Sequence, residues 1–132
     1  MIKVLTVSEQ AKENRIINQG DVYWVKLDDK DVAGEGIRHP YVVVQDNLFN
    51  HSRIHTVVIC TLTSNIKRAS MPGNVTLEAG EANLPKPSVV EVSKLSSVEK
   101  AQLGDYIGTL SESRVNQILA GMRFQQRSFF ER

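Results

Sequence analysis

The sequence predicts an α+β domain: a small, coiled antiparallel sheet or partial barrel with a helix packed on it. Three observations carry this. Five or six short apolar segments are separated by Gly- and Pro-bearing loops, one strongly amphipathic helix lies near the C-terminus, and the strands precede the helices in the chain.

Met1 to Gln19 reads as a polar N-terminal extension, with a helical stretch over Ser8 to Ile17, ahead of a single domain over 20–132. Asp21 to Leu27 is rich in β-branched and aromatic residues, follows Gly20 and runs into the polar Asp28 to Asp31, as a strand entering a loop does. Tyr41-Val-Val-Val-Gln45 and Thr56-Val-Val-Ile-Cys-Thr-Leu62 are continuous apolar runs, expected as central strands. Asn74 to Glu78, Ser88 to Val92 and Tyr106 to Leu110 complete the set. Two helices are expected after these strands begin. Ser96-Ser97-Val98-Glu99 has the spacing of a capping box, starting a short helix with Val98, Ala101 and Leu103. Ser111 can cap a second, whose Val115, Ile118, Leu119 and Met122 form one apolar stripe.

A chain of 132 residues is long enough for one core without disulfide or metal, and the lone Cys60 can form no internal bridge. No apolar run approaches the length of a membrane span, and the N-terminus lacks a signal peptide's features, so a cytoplasmic protein is expected. The net charge of +1 conceals a local excess. Between Arg38 and Asn74, Arg38, Arg53, Lys67 and Arg68 face Asp46 alone, a net of +3, and His39, His51 and His55 all lie there. Such a segment can face phosphates, or be ordinary surface. No zinc-ligand spacing, phosphate-binding glycine loop or Gly-x-Ser-x-Gly elbow is present, and His51 and His55 fall in turn and strand surroundings rather than on a helix.

The ordered string Gly20 to Asp28, then Gly34-Glu35-Gly36-Ile37-Arg38-His39-Pro40-Tyr41-Val42-Val43-Val44-Gln45, then Leu62-Thr63-Ser64-Asn65, then Pro87-Ser88-Val89-Val90, resembles the MazF/PemK family of toxin–antitoxin ribonucleases. The match runs over about residues 17 to 125, and the string is far more specific than any one segment. The resemblance implies an SH3-like antiparallel barrel with a short helix and a C-terminal helix. It further implies a homodimer, metal-independent and cofactor-free cleavage of single-stranded RNA at short motifs, and inhibition by a cognate antitoxin. That chemistry is economical. RNA carries its own nucleophile, the 2′-hydroxyl, so cleavage needs a base, an acid for the departing 5′-oxygen and donors for the charged phosphorane.

The family places an arginine directly before the proline that opens the second strand; here His39 stands there and Arg38 one residue earlier. Neighbours on an extended segment point to opposite sides, so either His39 fills that slot or a local bulge brings Arg38 round to it. An ordinary histidine both takes and gives protons near neutrality, whereas arginine is a poor base and a strong bidentate phosphate donor. Arg38, His39 and Thr63 are therefore the candidate catalytic residues, Thr63 because it matches the family threonine that contacts the phosphate. Ser64 and Lys94 are expected to bind substrate. Gln45 and Asn47, with Asp46 between them, either read base edges or form a turn. Near Val92-Ser93-Lys94, where the family often shows an acid followed by glutamine, Lys94 stands instead and Glu91 is the nearest carboxylate. Tyr23 and Trp24 read as core residues, with base stacking the other reading, and Cys60 as a small core residue. A non-catalytic toxin or binding module of the same fold, like the Ccd-type gyrase poisons, is the alternative; those carry a tryptophan at the extreme C-terminus, whereas this chain ends Phe129-Phe-Glu-Arg132.

Overall fold

The computed structural model describes residues 15–27 and 38–127. The predicted helix over Ser8 to Ile17, the Asp28 to Asp31 loop, the Gly34-Glu35-Gly36-Ile37 segment and the C-terminal Phe129 to Arg132 lie wholly or mostly outside them.

Six strands form one antiparallel sheet: β1 (Asp21–Lys26), β2 (Arg38–Val43), β3 (Thr56–Thr63), β4 (Val75–Leu77), β5 (Ser88–Glu99) and β6 (Leu103–Thr109), in the spatial order β4-β5-β3-β2-β1-β6. The two continuous apolar runs, β2 and β3, are the central strands, as their sequence requires. Alternate residues feed two apolar clusters. Val42, Val44, Cys60, Leu62, Val90 and Val92 join one, beneath the C-terminal helix, while Tyr41, Val43, Val57, Ile59 and Val98 join the other. Strands buried on both faces have no polar side to alternate with, which is why they read as unbroken runs.

The sheet is open between β4 and β6, and the gap is filled by the chain between β4 and β5. A 3₁₀ turn at Glu81–Asn83 lies against β6: Asn83 Nδ2 donates to the Ile107 carbonyl at 2.9 Å, and a Cβ on Gly108 would collide with the Ala82 carbonyl oxygen, so only glycine permits the approach. Ala82 and Asn83 take left-handed backbone there, with φ of 49° and 60°. The result is a coiled, barrel-like sheet.

The C-terminal helix, α2 (Glu112–Gln125), is capped as expected, with Ser111 Oγ accepting from the Arg114 amide, and it buries Ile118 against the first cluster with Val115 and Met122 beside it. A four-residue helix, α1 (Asn47–Asn50), follows β2. One expectation is corrected: Ser96 to Glu99 is not helical. Ser96, Ser97, Val98 and Glu99 pair with Ile59, Val58, Val57 and Thr56 of β3, so cross-strand pairing overrides the local capping signal. A capping box does form three residues later, where Glu99 and Gln102 bracket the 3₁₀ turn Lys100–Gln102.

Helix α2 is tied to the strand-bridging turn by a bidentate ion pair, Arg114 Nε to Glu81 Oε1 at 2.8 Å and Nη2 to Oε2 at 3.0 Å, with both side chains about three-quarters buried. The Arg114 hydrogen bonds hold the Glu81 carboxyl below its ordinary value of 4.5. A depressed carboxyl contributes stability that is present in full above pH 4.5 and is lost as the pH falls through the folded-state value. Glu81→Gln is expected to cost about 1 kcal/mol at neutral pH. Melting curves taken down through acid should show that difference disappearing.

Candidate active site

The site begins with the parity of β2. Its register with β1 is unbroken from Val22↔Val42 to Lys26↔Arg38, so no bulge exists to swing Arg38 to the side of its neighbour. His39 and Tyr41, two residues apart, share one face. β3 joins at Tyr41, opposite Thr61, and Thr61 in turn lies opposite Glu91 of β5. Tyr41, Thr61 and Glu91 therefore form a row across three strands, with His39 and Thr63 extending it at alternate positions.

β5 then breaks step. Cys60 pairs with Leu95 and Thr61 with Glu91, leaving Val92, Ser93 and Lys94 without partners across the ladder. The Asn74 side chain accepts the Val92 amide at 3.1 Å, which satisfies the irregular stretch. Such a bulge re-aims side chains. It puts Lys94 Nζ 3.5 Å from Glu91 Oε1, while Arg68, from the 3₁₀ turn Ile66–Ser70, brings Nε within 3.7 Å of the same oxygen.

His39, Tyr41, Thr61, Thr63, Glu91 and Lys94 line one cleft of about 770 Å³. With Ser64 and Lys86 they supply its polar lining, and Trp24, Leu27, Pro40, Leu84 and Pro85 its apolar lining. Among the described residues of this lining, Glu91, 95% buried, is the one carboxylate and His39 the one imidazole. Thr63 Oγ1 accepts the Asn65 amide at 3.2 Å, which leaves the hydroxyl proton for an acceptor in the cleft. Burial pushes the Tyr41 phenol up, keeping it an O–H donor. Cys60 is buried, its Sγ donating to the Glu91 carbonyl at 3.0 Å; burial, and then the Glu91 charge, push the thiol to about 12, so it is inert at neutral pH.

Of the sequence-predicted site residues, His39, Thr63, Ser64 and Lys94 thus come together. Arg38 does not join them: its guanidinium lies 5.1 Å from the Trp24 ring centre, and Nη1 is 3.8 Å from Asp105 Oδ2. Gln45 and Asn47 lie beyond the other end of β2, which stops at Val43, and their side chains build the turn. Gln45 Nε2 donates to Asn50 Oδ1 and to the Thr56 carbonyl, Asn47 Oδ1 accepts from the Gln19 amide, and Asp46 caps α1 through Leu48. Of the two readings for this stretch, the described contacts are those of turn formers. Glu91, which the sequence offers only as the nearest carboxylate, and Trp24, which it offers first as core, also line the cleft. Glu91 sits among Val89, Val90 and Val92, where an acid in a buried strand was the available signal. Trp24 is partly exposed between the buried Tyr23 and Val25.

Residues 18–125 match the family described as PemK-like, MazF-like toxin of type II toxin-antitoxin system. The chain is 34% identical over 108 residues to endoribonuclease MazF6 of Mycobacterium tuberculosis, covering 82% of this chain and 95% of that protein. It is 28% identical over 103 residues to endoribonuclease MazF of Staphylococcus epidermidis, covering 78% and 85%. Among solved structures, a MazE–MazF crystal structure from Deinococcus radiodurans superposes with a TM-score of 0.71 at 16% identity, covering 86% of this chain and 98% of that one. A mycobacterial endoribonuclease in complex with its cognate antitoxin gives 0.65 at 23%, covering 82% and 92%.

Proposed function

Since the chain belongs to the PemK-like, MazF-like toxins of type II toxin–antitoxin systems, we infer that it is an endoribonuclease toxin, cutting single-stranded RNA at short sequence motifs and held in check by a cognate antitoxin. One observation carries the chemistry: among the described residues, a single cleft brings the His39 imidazole and the Glu91 carboxylate together with lysines, hydroxyls and a phenol. Those are the parts that cleavage by RNA's own 2′-hydroxyl requires.

Glu91 takes the 2′-hydroxyl proton as O2′ attacks phosphorus. The P–O5′ bond breaks, and His39 donates its proton to the departing 5′-oxygen. The products are a 2′,3′-cyclic phosphate and a 5′-hydroxyl end. Lys94 and Arg68, beside Glu91, and Lys86 in the cleft lining supply positive charge to the phosphorane, with the Thr63 hydroxyl donating to a non-bridging oxygen and Ser64 to the neighbouring phosphate. Arg38 adds a bidentate donor when the strand is bound. No step calls for a metal or cofactor. The protein acts as a homodimer in the cytoplasm, where single-stranded RNA is the substrate. The gyrase-poison alternative has no support from relatives named endoribonucleases.

The test is incubation of the purified chain with a long single-stranded RNA in EDTA, followed by analysis of the ends. Cleavage leaving cyclic phosphate is expected. Cleavage that needs added Mg²⁺ would overturn the metal-free route, and no cleavage of any RNA would return the non-catalytic reading.

A further inference from the structure

We propose that the Trp24 indole is the base-stacking platform of the cleft, and that in the RNA-free protein the Arg38 guanidinium occupies the place that a base takes. The inference rests on reading the cleft as an RNA site.

Trp24 is partly exposed on a strand whose neighbours Tyr23 and Val25 are buried; it lies opposite Pro40 and lines the same cleft as His39. A partly exposed indole beside a row of polar groups is the arrangement by which single-strand binders hold unpaired bases. The ring is already used in this way by a planar cation, with Arg38 Cζ 5.1 Å from its centre. A guanidinium stacks on the same π-face that a base would. Among the described residues its other contact is Asp105, 3.8 Å away, and the two side chains are 56% and 79% exposed, so that ion pair is weak. A base sliding onto the indole displaces Arg38, and the released guanidinium, one residue from His39, turns its donors to the phosphate of the strand that displaced it. Base capture and charge delivery are thereby coupled. Because every base has a π-face, the platform anchors the strand and favours purines without fixing a sequence.

Trp24 is the chain's only tryptophan, so its emission reports on this site alone. The probes are short single-stranded homopolymeric DNAs of each base, which lack the 2′-hydroxyl and cannot be cut, and an abasic oligomer of the same length, with binding followed by anisotropy. The base-bearing oligomers are expected to quench Trp24 and shield it from acrylamide; the abasic oligomer should bind without doing either. Arg38→Ala should leave Trp24 more open to acrylamide in the free protein. In RNA cleavage, Trp24→Ala should raise KM about tenfold or more with kcat nearly unchanged, and Trp24→Phe, which keeps a stacking ring, should restore most of the loss. Unchanged emission at saturation, failure of every oligomer to bind, or a Trp24→Ala KM within about twofold of wild type would overturn the proposal. Cleavage with a silent Trp24 refutes the platform alone, whereas quenching without cleavage refutes the ribonuclease reading alone.

Discussion

Replacing His39 by alanine is expected to lower kcat by about a hundred- to ten-thousandfold, the range that a positioned acid or base supplies, while Arg38→Ala loses roughly tenfold. The difference follows from strand parity. The unbroken register of β2 on β1 fixes His39 on the face shared by Tyr41 and the Thr61–Glu91 pair, and sends Arg38 to Trp24 and Asp105. An imidazole can carry a proton to the 5′-oxygen, and alanine offers no substitute. Arg38 offers donors rather than protons, and Lys86, Lys94 and Arg68 offer further positive charge. His39 is exposed and closes no part of the core, so its loss should leave the melting temperature unchanged. Single-turnover cleavage in EDTA is the measurement. If Arg38→Ala is the inactive variant and His39→Ala cuts nearly as wild type, the histidine has no part in the chemistry.

Much of this architecture is legible in the residues, because the strands are short, apolar and punctuated. The central position of β2 and β3 follows from runs with no polar alternation, and Ser111 marks the start of α2 because its hydroxyl meets the Arg114 amide in the way any N-cap serine does. Ser96 to Glu99 misleads for an equally physical reason. A capping box is a local signal, and it loses to four successive cross-strand pairs with β3 that no local pattern announces. The site was partly legible. Alternation separates Arg38 from His39 on sequence alone, but the ladder break at Val92, Ser93 and Lys94 depends on how β5 aligns with a strand some thirty residues away. Without that break, the acid of the cleft is sought at 92–94 instead of at Glu91.

Glu91→Gln is expected to lower kcat about a hundredfold or more while leaving KM for RNA unchanged or lower. A carboxylate in a phosphate-binding cleft is a liability for binding, since it repels the strand and neutralises the cations beside it. Here it is 95% buried and within 4 Å of both Lys94 and Arg68. If it served only to hold those two side chains, glutamine would cost some stability and leave turnover largely intact. If it accepts the 2′-hydroxyl proton, glutamine keeps the shape, removes the repulsion and removes the base, so affinity holds or improves as the rate falls. Melting temperature, KM and kcat measured together separate the two. The two cations are half exposed, which limits what their attraction contributes to folding. The main consequence of the substitution should therefore appear in the chemical step, and a variant that is less stable but equally fast would make Glu91 a structural residue.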